Sequence, residues 1–430
     1  MSGSAARPAA GQRLPAWLGQ SLLALWRLLD LFLPKRRDCW AFFTHPLKPG
    51  QFIENSRAVF EQVKGDANVR KIVFVRDLEA SLHLEDACNT EVRVLGSFAG
   101  LWTLARCGVL LLTNSTSLDM SLAWRNGRYG APRPLLRRRV VVNLWHGIPL
   151  KRLFALANPA QRAHGDRDAF RRRERRHYDG LVASSDVDAY AMGAIFHPIA
   201  PANVWITGLP RNDFLRQPEA RLPAYQREEL ARLRALCGGR ALVLYAPTYR
   251  DTHVAEQAVR RFDDHEVAQL KTLLRAHGAV LGVRGHYLRN APAAFAAKHF
   301  DDELLDLDHA HFQEIAPLLR EAAVVVTDYS SVYIDALYLR LPVLSFAWDL
   351  AHYREHQNGL LYDMALAFPG PVAADFPSFL AALATTLAQR DAPTSDHYEA
   401  ARRMFFRHDD ANNAQRLVER LHARIAQAAA

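Results

Sequence analysis

Short apolar runs recur along this chain, separated by helix-length polar segments, and that alternation is the strongest constraint on its fold. Trp40 to Thr44, Lys71 to Arg76 (KIVFVR), Glu91 to Leu95, Val109 to Asn114 (VLLLTN), Arg139 to Leu144 (RVVVNL), Gly180 to Ser184 and Val204 to Thr207 form one series. A second follows Gly208-Leu209-Pro210-Arg211-Asn212-Asp213: Arg240 to Tyr245 (RALVLY), Ala279 to Arg284 (AVLGVR), Glu303 to Leu307, Ala322 to Thr327 and Leu341 to Phe346 (LPVLSF). Runs this short and continuously apolar read as strands buried on both faces. Strands that alternate with helices build parallel sheets with helices on either side. Two series predict an α/β chain of two Rossmann-like, doubly wound domains facing a cleft. The expected units are an arm over 1–38, a first domain over 39–208, a second over 209–395 and a closing helix over 396–430, with Thr394 to Ala428 read as helical. Ligands of such sheets bind beyond the carboxyl ends of the strands.

The chain has 430 residues, half of them apolar, which suits two cores. Its net charge of +9 favours anionic partners. Nucleic acid is the poorest of these, since no nucleic-acid fold signature and no basic stripe with stacking aromatics is present. Cys39, Cys88, Cys107 and Cys237 make no C-x-x-C pair and have no histidines at zinc spacing. That pattern reads as a reduced, cytosolic chain without a disulfide framework or structural metal. The absence of G-x-x-x-x-G-K-[ST] and G-x-G-x-x-G argues against a kinase or a nicotinamide enzyme.

Leu14 to Leu33 is apolar and aromatic, interrupted by Arg27 and Asp30 and followed by Pro34-Lys35-Arg36-Arg37. The charges weaken a membrane span. The pattern predicts an amphipathic helix on an anionic membrane surface, ahead of a helix packed on the body. Arg137 to Arg139 and Arg171 to Arg176 are further basic blocks. They read as solvated faces or as contacts to anionic lipid or a polyanionic acceptor.

Four clusters fall at strand ends. Thr327-Asp328-Tyr329-Ser330-Ser331 turns from a strand into a helix, a place where backbone N–H groups suit a phosphate, although Asp328 or Ser330 could simply cap that helix. His146, in Asn143-Leu144-Trp145-His146-Gly147-Ile148-Pro149-Leu150-Lys151, could take a proton from a hydroxyl or could merely hold its loop. Arg250, after RALVLY, could hold phosphate or pair with Asp251, and Arg284 and His286 flank Gly285. Arg354 could reach a diphosphate, while Asp349 could bond a hydroxyl or orient neighbours. A histidine on one domain facing phosphate-type groups on the other suggests transfer from a nucleotide-activated donor.

WHGIPLK, GLPRND, LYAPTYRD, RGHYL and TDYSSVYIDALYLRLPVLSFAWDLAHYRE, with FIENSR near the start and NGLLYDMALAFPGPV near the end, resemble the CDP-glycerol glycerophosphotransferase family of teichoic-acid primases, polymerases and capsule-assembly relatives. The resemblance runs from about residue 40 to 420. It implies a glycosyltransferase-B-like fold and peripheral attachment to the cytoplasmic face of the membrane. It also implies transfer of a polyol phosphate from a CDP-polyol donor to a lipid-linked or polymer acceptor, with no cofactor or metal. Carried over by motif, His146 would be the base. Arg284, His286, Ser330, Ser331 and Arg354 would contact donor phosphates, and Asp328, Arg250 and Asp349 would support them. Ile148 stands where the family pattern has Thr. The competing readings are a sugar-nucleotide glycosyltransferase of the same fold and a non-catalytic membrane scaffold.

Overall fold

The computed structural model describes residues 14–429 except 49, 78–81, 126, 160–165, 249–259, 286–293 and 357–358. In chain order the first sheet holds β1 (Arg36–Phe43), β2 (Arg70–Val75), β3 (Thr90–Val94), β4 (Cys107–Leu112), β5 (Val140–Asn143), β6 (Gly180–Ala183) and β7 (Val204–Ile206). The second holds β8 (Ala241–Tyr245), β9 (Ala279–Val283), β10 (Leu304–Asp306), β11 (Ala322–Thr327), β12 (Val343–Phe346) and β13 (Val372–Ala373). The spatial orders are β3-β2-β1-β4-β5-β6-β7 and β10-β9-β8-β11-β12-β13. Every pairing within them is parallel. Each sheet reverses direction once, between β1 and β4 and between β8 and β11. These reversals are the crevices where doubly wound sheets bind ligands.

The strands form where continuous apolar sequence can be covered on both sides. β4 (CGVLLL) and β5 (VVVN) are buried along their whole length. One apolar cluster joins the halves, from Trp40, Phe60 and Trp205 in the first to Leu244, Tyr329 and Tyr333 in the second. Backbone pairing joins them again. Leu361 N–H donates to the Leu150 carbonyl at 2.9 Å and Arg152 N–H to that of Gly359 at 3.0 Å.

The closing segment departs from the predicted single helix. It breaks into Asp396–Phe405 and Asn413–Ala429, because Asp409 and Asp410 in the intervening turn are drawn to Arg216, Arg340, Arg402 and Arg416. The last helix then returns to the first half. Leu417 and Leu421 enter the shared core, the His422 ring lies 5.3 Å from that of Trp40, and Arg424 pairs with Asp179 at 2.5 Å. Asp213 caps its start, accepting from the backbone N–H groups of Asn413 and Ala414 at 2.9 and 2.8 Å. Gly208 lies so close by, at φ +79°, that a Cβ there would meet the Asn413 side chain.

The N-terminal helix, Ala16–Phe32, is both docked and exposed. Asp30, read from sequence as an interruption, is fully buried against Arg139 and Lys35 and accepts from Leu135 N–H at 2.7 Å. The Trp26 indole donates to the Leu101 carbonyl at 2.7 Å. On the other side Trp17, Leu25, Leu28 and Phe32 are more than half exposed. No helix among the described residues is long and apolar enough to cross a membrane.

Candidate active site

The loop after β5 carries His146 on an organised backbone. Asn143 Oδ1 accepts from Trp145 N–H at 2.9 Å, and Asn143 Nδ2 donates to the Asn114 carbonyl at 2.6 Å. Asn55, in the helix Glu54–Val63, donates to the Leu144 and Trp145 carbonyls at 3.2 and 2.9 Å. Trp145 is thereby held at φ 53°, and Glu54 at φ 61°. Bulky side chains rarely adopt this left-handed region, and such strain collects where surrounding structure fixes a functional geometry. The Trp145 ring lies 3.9 Å from the imidazole of His146 and packs edge-on against Phe154 and Phe196.

The His146 side chain is exposed, yet protein encloses it at longer range. That enclosure depresses its pKa. Arg211 and Lys48 push the same way, and Glu54 opposes them. The imidazole is therefore neutral near pH 7 and free to accept a proton.

Beside it is a cavity of about 240 Å³ with walls from both halves. Lys48 and Glu54 come from the first half, Arg211 from the connection, and Arg284, Ser330, Ser331 and Asp335 from the second. Glu54 lies within 3.4 Å of Lys48 and 3.8 Å of His45. Burial alone would raise its pKa, but Lys48, His45, Arg211 and His146 together hold it at about 2. Glu54 Oε2 is buried without a hydrogen-bond partner among the described residues.

Arg211 ties the parts together. Its backbone N–H donates to Asn55 Oδ1 at 2.9 Å, and its guanidinium reaches both carboxylate oxygens of Asp335. A Cβ on Gly147 would lie 3.4 Å from the same guanidinium, which places Arg211 against the histidine loop. Burial disfavours its charge, but Asp335 and Glu54 outweigh that and raise its pKa.

The second half offers the phosphate-type groups at its crevice. Asp328 accepts from Thr248 N–H at 2.8 Å and Tyr329 N–H at 2.5 Å, which pins the loop after β8 to the loop after β11. Ser330 and Ser331 then face the cavity. Asp349 stands behind this layer and accepts from the Tyr329 hydroxyl at 3.1 Å. Arg284 lines the cavity, but its guanidinium is largely engaged by the loop after β10. It donates to the Leu307 and Phe312 carbonyls at 2.8 and 2.7 Å and lies 2.8 Å from His309 Nδ1, leaving Nε buried without a partner among the described residues. Burial lowers its pKa to about 10, still cationic at neutral pH. Arg354 does not line this cavity. Its half-exposed side chain lies 3.9 Å from Asp363. His286 and Arg250 lie outside the described residues. Among those described, no group of three His, Cys, Asp or Glu could hold a metal ion.

Sequence reasoning gave no role to Lys48, Glu54, Arg211 or Asp335. The available signal was charge in apolar company, as with Asp335 inside Val332-Tyr333-Ile334-Asp335-Ala336-Leu337. Ile148, the departure from the family pattern, is buried in the shared core.

A neutral histidine beside a cleft of cations and hydroxyls, set at the crevice of a second parallel sheet, defines a two-domain transferase acting on a phosphate-bearing donor. A family model described as CDP-Glycerol:Poly(glycerophosphate) glycerophosphotransferase matches residues 28–423, and the chain belongs to that family. It is 26% identical over 361 residues to a teichoic acid poly(glycerol phosphate) polymerase of Bacillus spizizenii, covering 81% of this chain and 83% of that one. A teichoic acid ribitol-phosphate primase of the same species is 23% identical, covering 92% and 93%. The solved structure of the wall teichoic acid polymerase TagF superposes with a TM-score of 0.74 at 18% identity, covering 95% of this chain and 94% of that one, which establishes the glycosyltransferase-B-like fold.

Proposed function

We propose that this enzyme transfers glycerol phosphate from CDP-glycerol to a hydroxyl of a lipid-linked acceptor and releases CMP. The observation that carries this reading is the placement of His146 beside a cavity walled by Lys48, Arg211, Arg284, Ser330 and Ser331. His146 takes the acceptor hydroxyl proton as the oxygen attacks the β-phosphorus. The bond from that phosphorus to the CMP oxygen breaks, and CMP leaves with the electron pair. Charge on the phosphoryl oxygens and on CMP is met by the fixed cations and hydroxyls, so catalysis rests on positioning and electrostatics. Similarity to glycerol-phosphate enzymes of both Bacillus spizizenii and Staphylococcus aureus supports glycerol as the polyol. The exposed apolar face of the N-terminal helix supports peripheral attachment at the inner face of the membrane.

The test is a CMP-release assay with a lipid acceptor extract and a panel of CDP-glycerol, CDP-ribitol and sugar nucleotides, with His146→Ala as control. CMP release from CDP-glycerol, lost in the variant, supports the reading. Release from CDP-ribitol alone changes the polyol. Turnover of a sugar nucleotide alone moves the chain to the glycosyltransferases.

A further inference from the structure

Away from the donor cavity, two adjoining cavities of about 640 and 260 Å³ share Arg27, Thr116, Arg133 and Phe170 in their walls and form one groove. It runs between the N-terminal helix, the segment 129–137 and the arginine-rich helix Asp166–Arg175. Arg137 and Arg173 add to its lining. Among the described residues none of Arg27, Arg133, Arg137 and Arg173 has a carboxylate partner within ion-pair distance. The one carboxylate in the wall, Glu174, is buried and already engaged, accepting from Thr116 N–H at 3.1 Å and from the Tyr178 hydroxyl at 2.5 Å. Four arginines around one concavity, against a single carboxylate, leave net positive potential there, and guanidinium groups match phosphate oxygens in pairs.

Two relationships point to the kind of anion. Gln20, Ala24 and Arg27 give one side of the N-terminal helix to the groove, and the adjoining side carries the exposed Trp17, Leu25, Leu28 and Phe32. A ligand whose head lies among the arginines can therefore run a hydrocarbon chain onto an apolar surface. At the other end, the loop after β4 spans from groove to histidine. Its Thr116 and Ser117 line the groove, its Asn114 carbonyl binds Asn143 beneath the His146 loop, and the Thr113 backbone touches the environment of His146 itself. A third, smaller cavity between Ser115, Glu174 and Trp145 continues that path.

We infer that this arginine-lined groove seats the phosphate head of the lipid-borne acceptor, with the lipid chain along the N-terminal helix and the acceptor's polar end directed toward His146. The inference rests on the transferase reading above, but it is tested without turnover.

The experiment is calorimetric titration of the full chain with farnesyl diphosphate below its micelle concentration, with inorganic pyrophosphate and CDP-glycerol in parallel. Saturable farnesyl diphosphate binding is expected, weakened at least tenfold in R27E/R133E, with CDP-glycerol binding unchanged. R27Q/R133Q, matched to the parent in thermal melting, is expected to weaken it in the same direction and separates lost binding from lost fold. Equal affinity for inorganic pyrophosphate would overturn the assignment in favour of a free-phosphate site. Undiminished farnesyl diphosphate binding in both variants, or none in the parent, would also overturn it. Failure of CMP release with an arginine-sensitive farnesyl diphosphate site would instead count against the donor reading alone.

Discussion

Arg211 and Asp335, 124 residues apart, meet in an ion pair whose two N–H···O distances are 2.9 and 2.8 Å. It connects the turn between the two sheets to the helix that follows the serine loop. Both groups are largely buried, so their joint desolvation offsets much of their attraction, whereas removal of one partner strands the other. Arg211→Met is expected to cost about 3–5 kcal/mol by this reasoning. Arg211→Met with Asp335→Leu should recover most of that loss. Urea unfolding of the two variants checks it, and equal losses in both would refute the coupling.

His146→Ala should lower kcat by about 10²–10⁴, the usual worth of a positioned general base. CDP-glycerol affinity should stay within a few-fold, since the cavity proposed for the donor is walled by other residues. Turnover kinetics beside donor calorimetry separate the two effects.

Glu54 raises the pKa of His146, whereas burial, Arg211 and Lys48 lower it. Removing the carboxylate in Glu54→Gln therefore lowers it further. The acid limb of kcat/KM, set by protonation of the base, should move to lower pH. A limb that stays in place would show that the two groups do not interact.

Asp188 is buried and its pKa is raised to about 7, with the Ser184 backbone N–H as opposing influence. In the unfolded chain it ionises near the usual ~3.9. Between these values the folded state binds more protons, so this group's contribution to stability falls as pH rises from about 4 to 7. Asp188→Asn should flatten the stability profile over that window, as measured by urea unfolding at successive pH values.

Deleting residues 1–37 would remove Asp30 and leave Arg139 buried without its partner, so loss of membrane binding and loss of fold would coincide. Replacing Trp17, Leu25, Leu28 and Phe32 with serine leaves the buried side of the helix intact. Sedimentation with phosphatidylglycerol vesicles should show binding weakened at least tenfold, since a fully buried large apolar side chain is worth about 1.5–3 kcal/mol.

The strands were legible because burial on both faces writes an unbroken apolar run, and their ends fell within two residues for most. The loop of His146 and the serine loop were legible for the same reason, since strand ends locate them. What escaped was pairing between distant charges. Asp30 looked like a flaw in an apolar helix until Arg139, 109 residues away, supplied its counterion. Glu54, Arg211 and Asp335 lay inside recognised motifs but gained meaning only when three segments converged. Arg354, a cation in a suggestive motif, lies outside the cavity, half-exposed beside Asp363. Periodicity records what a residue's neighbours in the chain do, and a cleft is built from residues that are not neighbours.

The return of the last helix to the first sheet has a consequence for synthesis. Domains generally fold in order as they leave the ribosome. Here Leu417 and Leu421, which enter the core the first half shares, follow the whole of the second sheet in the chain. The first half must wait, with part of its core uncovered, until the second sheet and the helix after it have been made.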